Sequence, residues 1–441
     1  MRVTNIALGK KYSKKVGMLQ SLWRDYEERI RTLPQSDHWE FFADRDHLCL
    51  GTLDTKSKNG NGLTFKEAFQ GMLLVISATN NIFRKMFFPK LSYAEAVAKG
   101  SYYLTMMAAK EAYVGLEAEE VAGMAAAGMM DLFFVPNLHM MFETCGMGAD
   151  RGWGTKTVKT INASTLSAIV LAAMGLPTTK HGSYGNTTKI GSTDVLEQSG
   201  ANVAIDGAEE LMRIFKKTRF LFTDAHTVKT LHYLSHLLKV ETVNHVIGPM
   251  TGPVSSSTRL YKLMGVNHNV HPLTVAGAYT ELHREGFVNL GGAVIVGGVN
   301  AIPKREDLHS PTWFRDHCFL DEVSPVATIV CLATGPTVLG TVCLEGSAPF
   351  GVEFHEHDLK VPNEMHTLMQ ANQKALRGEG PLGNYLAANT ALARMAGETE
   401  FFTLDRLRDY TEDALKVLQS GAAERLLDVY VEETGGTRIV W

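Results

Sequence analysis

The sequence predicts an α/β protein, with a small helical domain ahead of a larger α/β domain. Three observations predict it. Leu63 to Met130 is dominated by Ala, Met, Leu and Glu, which are good helix formers. After about Met140, short apolar runs rich in β-formers alternate with helical stretches, as in α/β folds. Glycine-rich loops sit between those runs, and 40 of the 441 residues are Gly, above the roughly 7% average.

Composition bounds the rest. With 45% apolar and 20% charged residues the chain is not disordered overall, and its length suggests two or three domains. The balance of 43 basic against 47 acidic residues, net −4, weighs against a dedicated nucleic-acid binder. No apolar run approaches the roughly 18 residues of a membrane span. The five cysteines, Cys49, Cys145, Cys318, Cys331 and Cys343, are odd in number, widely spaced and without a C-x-x-C. A reducing, cytoplasmic location fits them best.

In chain order, residues 1–62 read as an N-terminal extension of no assigned role. Residues 1–31 hold eight Lys/Arg and three acids, net +5, and Ser21–Ile30 suits a charged amphipathic helix. A helical domain follows over 63–140, joined by helices near 226–240, and an α/β domain over 141–441. Expected strands are Asn202–Ile205, Phe220–Thr223, Ala293–Val296 and Thr328–Ala333. Expected helices are Thr165–Met174, Asp194–Ser199, Thr227–Leu238, Asn363–Arg377, Leu382–Met395 and Leu404–Glu432. Met106, Met107, Met124, Met129 and Met130 read as helix core.

Three segments carry chemistry. The first, residues 146–165, reads GMGADRGWGTKTVKTINAST, with Gly146, Gly148, Gly152 and Gly154 close together. Ser164 or Thr165 is expected to cap the helix that follows, and Gly175 to end it. Glycines before a helix start suit a phosphate cradle, and a tight structural turn is the competing reading. The second, Thr179 to Gly200, supplies Lys180 as a point charge, His181, further glycines, and Ser192 ahead of another helix start. Two such starts suit a ligand with two separated phosphates. The third, FLDEVSP, places Asp321 beside Glu322. Paired acids suit Mg²⁺, though an isolated pair is more often an exposed turn. His232 with His236, and His355, Glu356 and His357, lack the further ligands that zinc needs.

Together these segments resemble the anthranilate phosphoribosyltransferase family, to which pyrimidine nucleoside phosphorylases are distantly related. GMGAD (Gly146 to Asp150) and TINAST (Thr160 to Thr165) resemble the family's GTGGD and T-x-N-x-S-T. KHGSY (Lys180 to Tyr184) and IGSTDVLE (Ile190 to Glu197) resemble its K-H-G-N-R and S-G-S-A-D-V-L-E. IGPMTGP (Ile247 to Pro253) resembles L-G-P-L-T-N-P, and DE-x-S-P stands unchanged at Asp321 to Pro325. GLEAEEVAG (Gly115 to Gly123), NYLAANTALA (Asn384 to Ala393) and SGAAERLL (Ser420 to Leu427) extend the likeness over about residues 110–432.

The resemblance implies a helical domain plus an α/β domain with a central mixed sheet, an active site in the hinge cleft, and a homodimer. It implies 5-phosphoribosyl 1-diphosphate (PRPP) as donor, with Mg²⁺. Gly146, Gly148, Asp150, Asn162, Ser164, Thr165, Lys180 and Ser192 would bind the donor. Asp321 and Glu322, with Ser164, would hold the metal, and Lys180 and His181 would serve catalysis. His181 and Gly248 would lie beside the acceptor. On that side Ser183 and Tyr184 replace Asn and Arg, and Ser235 stands where the family's carboxylate-binding Arg is expected; on the donor side Ala149 replaces a Gly, and RGWGTKTVK adds residues between Asp150 and Thr160. Ser cannot make a bidentate clamp on a carboxylate. The expected function is therefore PRPP-dependent transfer to an aromatic or heterocyclic acceptor other than anthranilate. A nucleoside phosphorylase and a non-catalytic nucleic-acid-binding relative are the alternatives, and no membrane partner is expected.

Overall fold

The structure, a computed structural model, describes residues 50–132, 134–148, 158–185, 190–205, 207–239 and 242–441. Cys49, Asp150 and the expected helix Ser21–Ile30 lie outside the described residues. The described chain divides into two compact units. One comprises residues up to Pro136 with 206–208 and 225–253; the other comprises Asn137–Ile205, Glu209–Asp224 and Val254–Trp441.

The first unit is helical. Helix Leu50–Lys58 lies within the N-terminal extension to which no role is assigned. Phe65–Thr79 and Tyr93–Tyr113 each start with a capping box, Thr64 with Glu67 and Ser92 with Glu95. Both pair hydroxyl and carboxylate with orphan backbone N–H groups, which fixes where each helix begins. Ala118–Met130 is nearly all Ala, Gly, Met and Val past its first turn. Small side chains let it approach Phe65–Thr79 closely: a Cβ on Gly123 would lie 2.2 Å from the Phe65 carbonyl oxygen. Met106, Met107 and Met124 are buried as expected, while Met129 and Met130 are half-buried.

The expected helix Thr227–Leu238 is interrupted, forming Ala225–Val228 and Tyr233–Leu238. The reason is Asp131, fully buried, which accepts the N–H groups of Thr230 at 2.6 Å and Leu231 at 2.8 Å. A side-chain acceptor replaces the helical carbonyls there. Tyr233–Leu238 packs on Phe65–Thr79 and Tyr93–Tyr113, and Asn244–Met250 packs on Ala118–Met130.

The second unit is built on a mixed sheet. Its strands are β1 (Met140–Gly146), β3 (Thr178–Gly182), β4 (Phe220–Asp224), β5 (Arg259–Gly265), β6 (Asn289–Val299), β7 (Cys318–Leu320), β8 (Ala327–Thr334) and β9 (Thr337–Glu345). β2 (Val158–Lys159) and β10 (Val361–Pro362) form a separate antiparallel ribbon. The main order is β4-β3-β1-β5-β6-β8-β9, with β7 beside β6. The first five are parallel and the rest antiparallel. The helices used below are α1 (Ala163–Ala173), α2 (Ser192–Gln198), α3 (Pro272–Arg284), α4 (Met365–Leu376), α5 (Gly380–Met395), α6 (Leu404–Gln419) and α7 (Ala422–Glu433). Leu166, Ile169 and Val170 of α1 join Leu386 and Leu392 of α5 and Leu427 of α7 in one apolar core.

Two expectations fail here. Leu404–Glu432 is two helices, because Gly421 takes φ +71 between α6 and α7. Asn202–Ile205 is not a strand. Its N–H groups go instead to side chains: Asn202 to Thr434 Oγ1, and Ala204 to Asn202 Oδ1.

Among the described residues no helix is long and apolar enough to cross a membrane. Cys145, Cys318, Cys331 and Cys343 are free thiols.

Candidate functional site

The strand order reverses beside β1: the chain passes from β1 to β3 and β4 on one side, then returns to β5 on the other. In an open α/β sheet the carboxyl ends of strands at such a switch form the ligand crevice. The sequence motifs leave the sheet there. The first glycine segment leaves β1 at Gly146, paired with Gly265 at the end of β5. The second leaves β3 at Gly182, paired with Asp224 at the end of β4. Asn267, just past β5, donates to the Gly148 carbonyl at 2.8 Å and fixes the turn.

The acidic pair reaches the same turn. Gly148 N–H donates to Asp321 Oδ2 at 2.8 Å, although 173 residues separate them. Glu322 accepts from the Thr160 hydroxyl. Both carboxylates are half-exposed. Their loop is held from below by α5: Tyr385 OH donates to the Val323 carbonyl at 2.6 Å, and Asn389 accepts from Val323 N at 3.2 Å. No group of three or more His, Cys, Asp or Glu able to hold a metal exists among the described residues. Two oxygen-bearing acids fit Mg²⁺, which takes only one or two carboxylates when substrate phosphates and water complete its shell. They do not fit a self-sufficient protein cage.

The two glycine segments are stitched together. Thr165 Oγ1 donates to Ser192 Oγ at 2.9 Å, and Asn162 Nδ2 to the Ile190 carbonyl at 3.2 Å. Gly182 is small because Ser192 lies against it, 2.4 Å from where its Cβ would stand. Asp194 accepts the N–H groups of Gly185 at 2.8 Å and Gly191 at 2.9 Å and so shapes the second segment. Helix α1 begins two or three residues earlier than expected, with Asn162 rather than Ser164 or Thr165 at its N-cap. Ser164 is half-exposed; its carbonyl accepts from Thr144 Oγ1 at 2.6 Å. Met174 with Gly175, at φ +89, ends α1 as expected.

Lys180 is buried, its ammonium donating to the His181 carbonyl at 3.0 Å. Burial, with the Lys262 cation nearby, pulls it down to about 8. His181 is buried with Nδ1 3.0 Å from Thr223 Oγ1. Ser183 Oγ donates to the Tyr184 carbonyl at 3.1 Å. Tyr184 is buried, and its hydroxyl donates to Glu197 at 2.6 Å.

Within the helical unit, Ser235 and Gly248 lie near one another through Asn244 and Thr242. Ser235 Oγ sits 2.8 Å from Thr242 Oγ1 and accepts from Asn244 Nδ2 at 2.7 Å. The His232 ring covers Gly248, 2.6 Å from where its Cβ would stand. Lys229 donates to the Gly248 carbonyl at 3.0 Å.

Sequence reasoning did not find Asp194, Thr223, Asn267, Tyr385 or Asn389. Tyr385 and Asn389 had a signal: polar groups within the otherwise apolar helix NYLAANTALA. Asn267 and Thr223 had none, since each acts only through tertiary proximity.

Comparison with known proteins fits this geometry. Residues 140–298 match the family model described as glycosyl transferase family, a/b domain. An anthranilate phosphoribosyltransferase of Methanobrevibacter smithii is 25% identical over 387 residues, covering 86% of this chain and 97% of that protein. One from Shouchella clausii is 33% identical over 196 residues, 43% of this chain and 53% of that protein. The Saccharomyces cerevisiae anthranilate phosphoribosyltransferase solved with PRPP and Mg shares the fold, at TM-score 0.64 and 21% identity over 88% of this chain and 99% of that one. The Thermus thermophilus enzyme does so at TM-score 0.63 and 21% identity, over 87% and 99%. The chain is thus similar to anthranilate phosphoribosyltransferases over most of its length.

Proposed function

We propose that the chain transfers 5-phosphoribosyl from PRPP to an aromatic or heterocyclic acceptor other than anthranilate, releasing diphosphate. The observation that supports it most is the bond from Gly148 N–H to Asp321 Oδ2, which brings the acidic pair to the glycine turn. Donor phosphates would meet the backbone N–H groups around Gly146 and Gly148 and the side chains of Asn162, Ser164, Thr165 and Ser192. Lys180 adds a cation. Asp321 and Glu322 would hold Mg²⁺, with Ser164 as a further ligand, and the ion would neutralise diphosphate charge when bound.

The C1–O bond to diphosphate breaks as the acceptor forms its bond to C1. Positive charge gathers on the ribose ring and negative charge on the departing group. Little covalent work falls to the protein: it positions the partners and stabilises the leaving anion. His181, its ring fixed by Thr223, orients the acceptor or takes its proton. The changed acceptor follows from Ser235, whose hydroxyl is engaged by Thr242 and Asn244 and offers no cation.

Diphosphate release should be measured with PRPP, Mg²⁺ and a panel of aromatic amines, phenols and heterocycles. Anthranilate turnover at ordinary efficiency would overturn the acceptor reading. Failure to bind PRPP with Mg²⁺ would overturn the transferase reading.

A further inference from the structure

Residues 434–441 run across the second unit and bond to the far end of α2. Trp441 Nε1 donates to the Gln198 carbonyl at 2.8 Å. Ile439 N donates to the Ser199 carbonyl at 3.0 Å, and Arg438 Nη1 reaches the same oxygen at 3.3 Å. These carbonyls are orphan acceptors of a helix end, and a guanidinium there also complements the helix dipole. Asp428 orients that guanidinium, accepting from Nε at 2.7 Å. The approach is close because two glycines face each other: a Cβ on Gly200 would lie 1.8 Å from the Thr437 carbonyl oxygen, and one on Gly436 2.0 Å from that of Gly200.

The same segment also grips α4. Trp441 N donates to Gln373 Oε1 at 2.9 Å. The neighbouring Asn372 exchanges two bonds with Asn162, each 2.9 Å. One short segment is therefore bonded to α2, whose first residue is Ser192, and to α4, which holds Asn162. Those are the anchors of the two glycine segments.

We infer that residues 434–441 are a positioning strap that sets the spacing of the two donor-binding segments, with Trp441 and Arg438 as its positioning residues. This rests on the reading that Ser192 and Asn162 hold the donor. Helix α2 has seven residues. A helix so short is not held by its own hydrogen bonds and takes its place from what grips its ends. At 1.5 Å per residue it carries a displacement over roughly 10 Å from Gln198 to Ser192. A misplacement of about 1 Å in a binding segment is enough to be read in kinetics. The Asp194 bonds shape the near end, and the strap fixes the far one.

The test uses the full chain. Trp441→Phe keeps an aromatic ring beside His366 and removes the indole N–H together with the five-membered ring. Arg438→Ala removes the guanidinium, and Arg438→Lys restores a cation. Amide hydrogen exchange over residues 190–200 is followed without ligand, and KM for PRPP–Mg²⁺ is measured with acceptor saturating. Loss of one such bond should speed exchange over 192–199 about fivefold. KM for PRPP should rise about fivefold with kcat and the acceptor KM unchanged, and Arg438→Lys should recover part of the loss. Unchanged exchange over 190–200, or equal rises in both KM values, would overturn the strap. If the unaltered chain does not use PRPP, the donor reading falls while the exchange measurement still decides whether the strap holds α2.

Discussion

Asp321 Oδ2 lies against the bare face of Gly146, 2.3 Å from where a Cβ would stand. That oxygen is the one accepting Gly148 N–H. Gly146→Ala must therefore push the carboxylate out of the turn. The expected result is a rise of at least tenfold in the Mg²⁺ concentration giving half-maximal rate, or about 1.4 kcal/mol. Gly148→Ala differs: its Cβ would meet nothing within 4 Å, but φ is +64. It should cost about 1 kcal/mol of stability with less effect on Mg²⁺ dependence. A Mg²⁺ titration and a thermal melt of both variants distinguish the two.

Lys180 should make donor use sensitive to alkali. Burial holds its ammonium near about 8, so the charge is lost as pH rises through that value. KM for PRPP should increase above about pH 8, by close to tenfold per pH unit in kcat/KM at the steepest. Bound diphosphate favours the charged form and moves the break upward in kcat. The stability effect has the opposite sign. The folded state releases this proton before the unfolded state does, so stability increases between about pH 8 and the ordinary lysine range. Lys180→Met should remove both dependences.

Asp131 links pH to the helical unit. Burial raises its carboxyl to about 6 despite bonds from Asn80, Thr230 and Leu231. From about pH 6 down to the ordinary Asp range the folded state takes up a proton that the unfolded chain does not. Its contribution to stability therefore improves as pH falls through that window. Asp131→Ala strands the Thr230 and Leu231 N–H groups in the interior and should cost about 3 kcal/mol. Urea unfolding at pH 5 and 7 checks both: the variant should be weaker at each pH and lose the pH-dependent part.

The motifs of the proposed donor side stand out in the sequence because they combine glycine with charged or hydroxyl side chains at fixed short spacing. Lys180, Ser192 and Asp321 all fall at one edge of the sheet. What binds them together was not legible. Asn162 meets Asn372 across 210 residues, and no local pattern marks such a pair. Strands β1 and β5 carry Glu143 and Lys262, which form a buried ion pair at 2.7 Å on adjacent strands. Isolated in sequence, each charge argues against a buried strand, and only their pairing permits it. The break in Thr227–Leu238 was hidden similarly, since Asp131, which causes it, lies 99 residues from Thr230.

The proposed change of acceptor rests on Ser235. Its hydroxyl bridges Thr242 and Asn244, and Asn244 Nδ2 keeps a second partner in the Leu231 carbonyl at 3.1 Å. Ser235→Ala should therefore cost only about 1 kcal/mol of stability. Ser235→Arg supplies a planar cation at a half-buried position. Two parallel charge-assisted bonds to a carboxylate would then become available. Anthranilate turnover should increase at least tenfold over the unaltered chain, about 1.4 kcal/mol in kcat/KM, while the KM for PRPP stays constant. Rates with acceptors lacking a carboxylate should fall, because the longer side chain occupies their space. An equal loss with every acceptor would show that Ser235 acts only through Thr242 and Asn244, and the changed-acceptor reading would lose its residue.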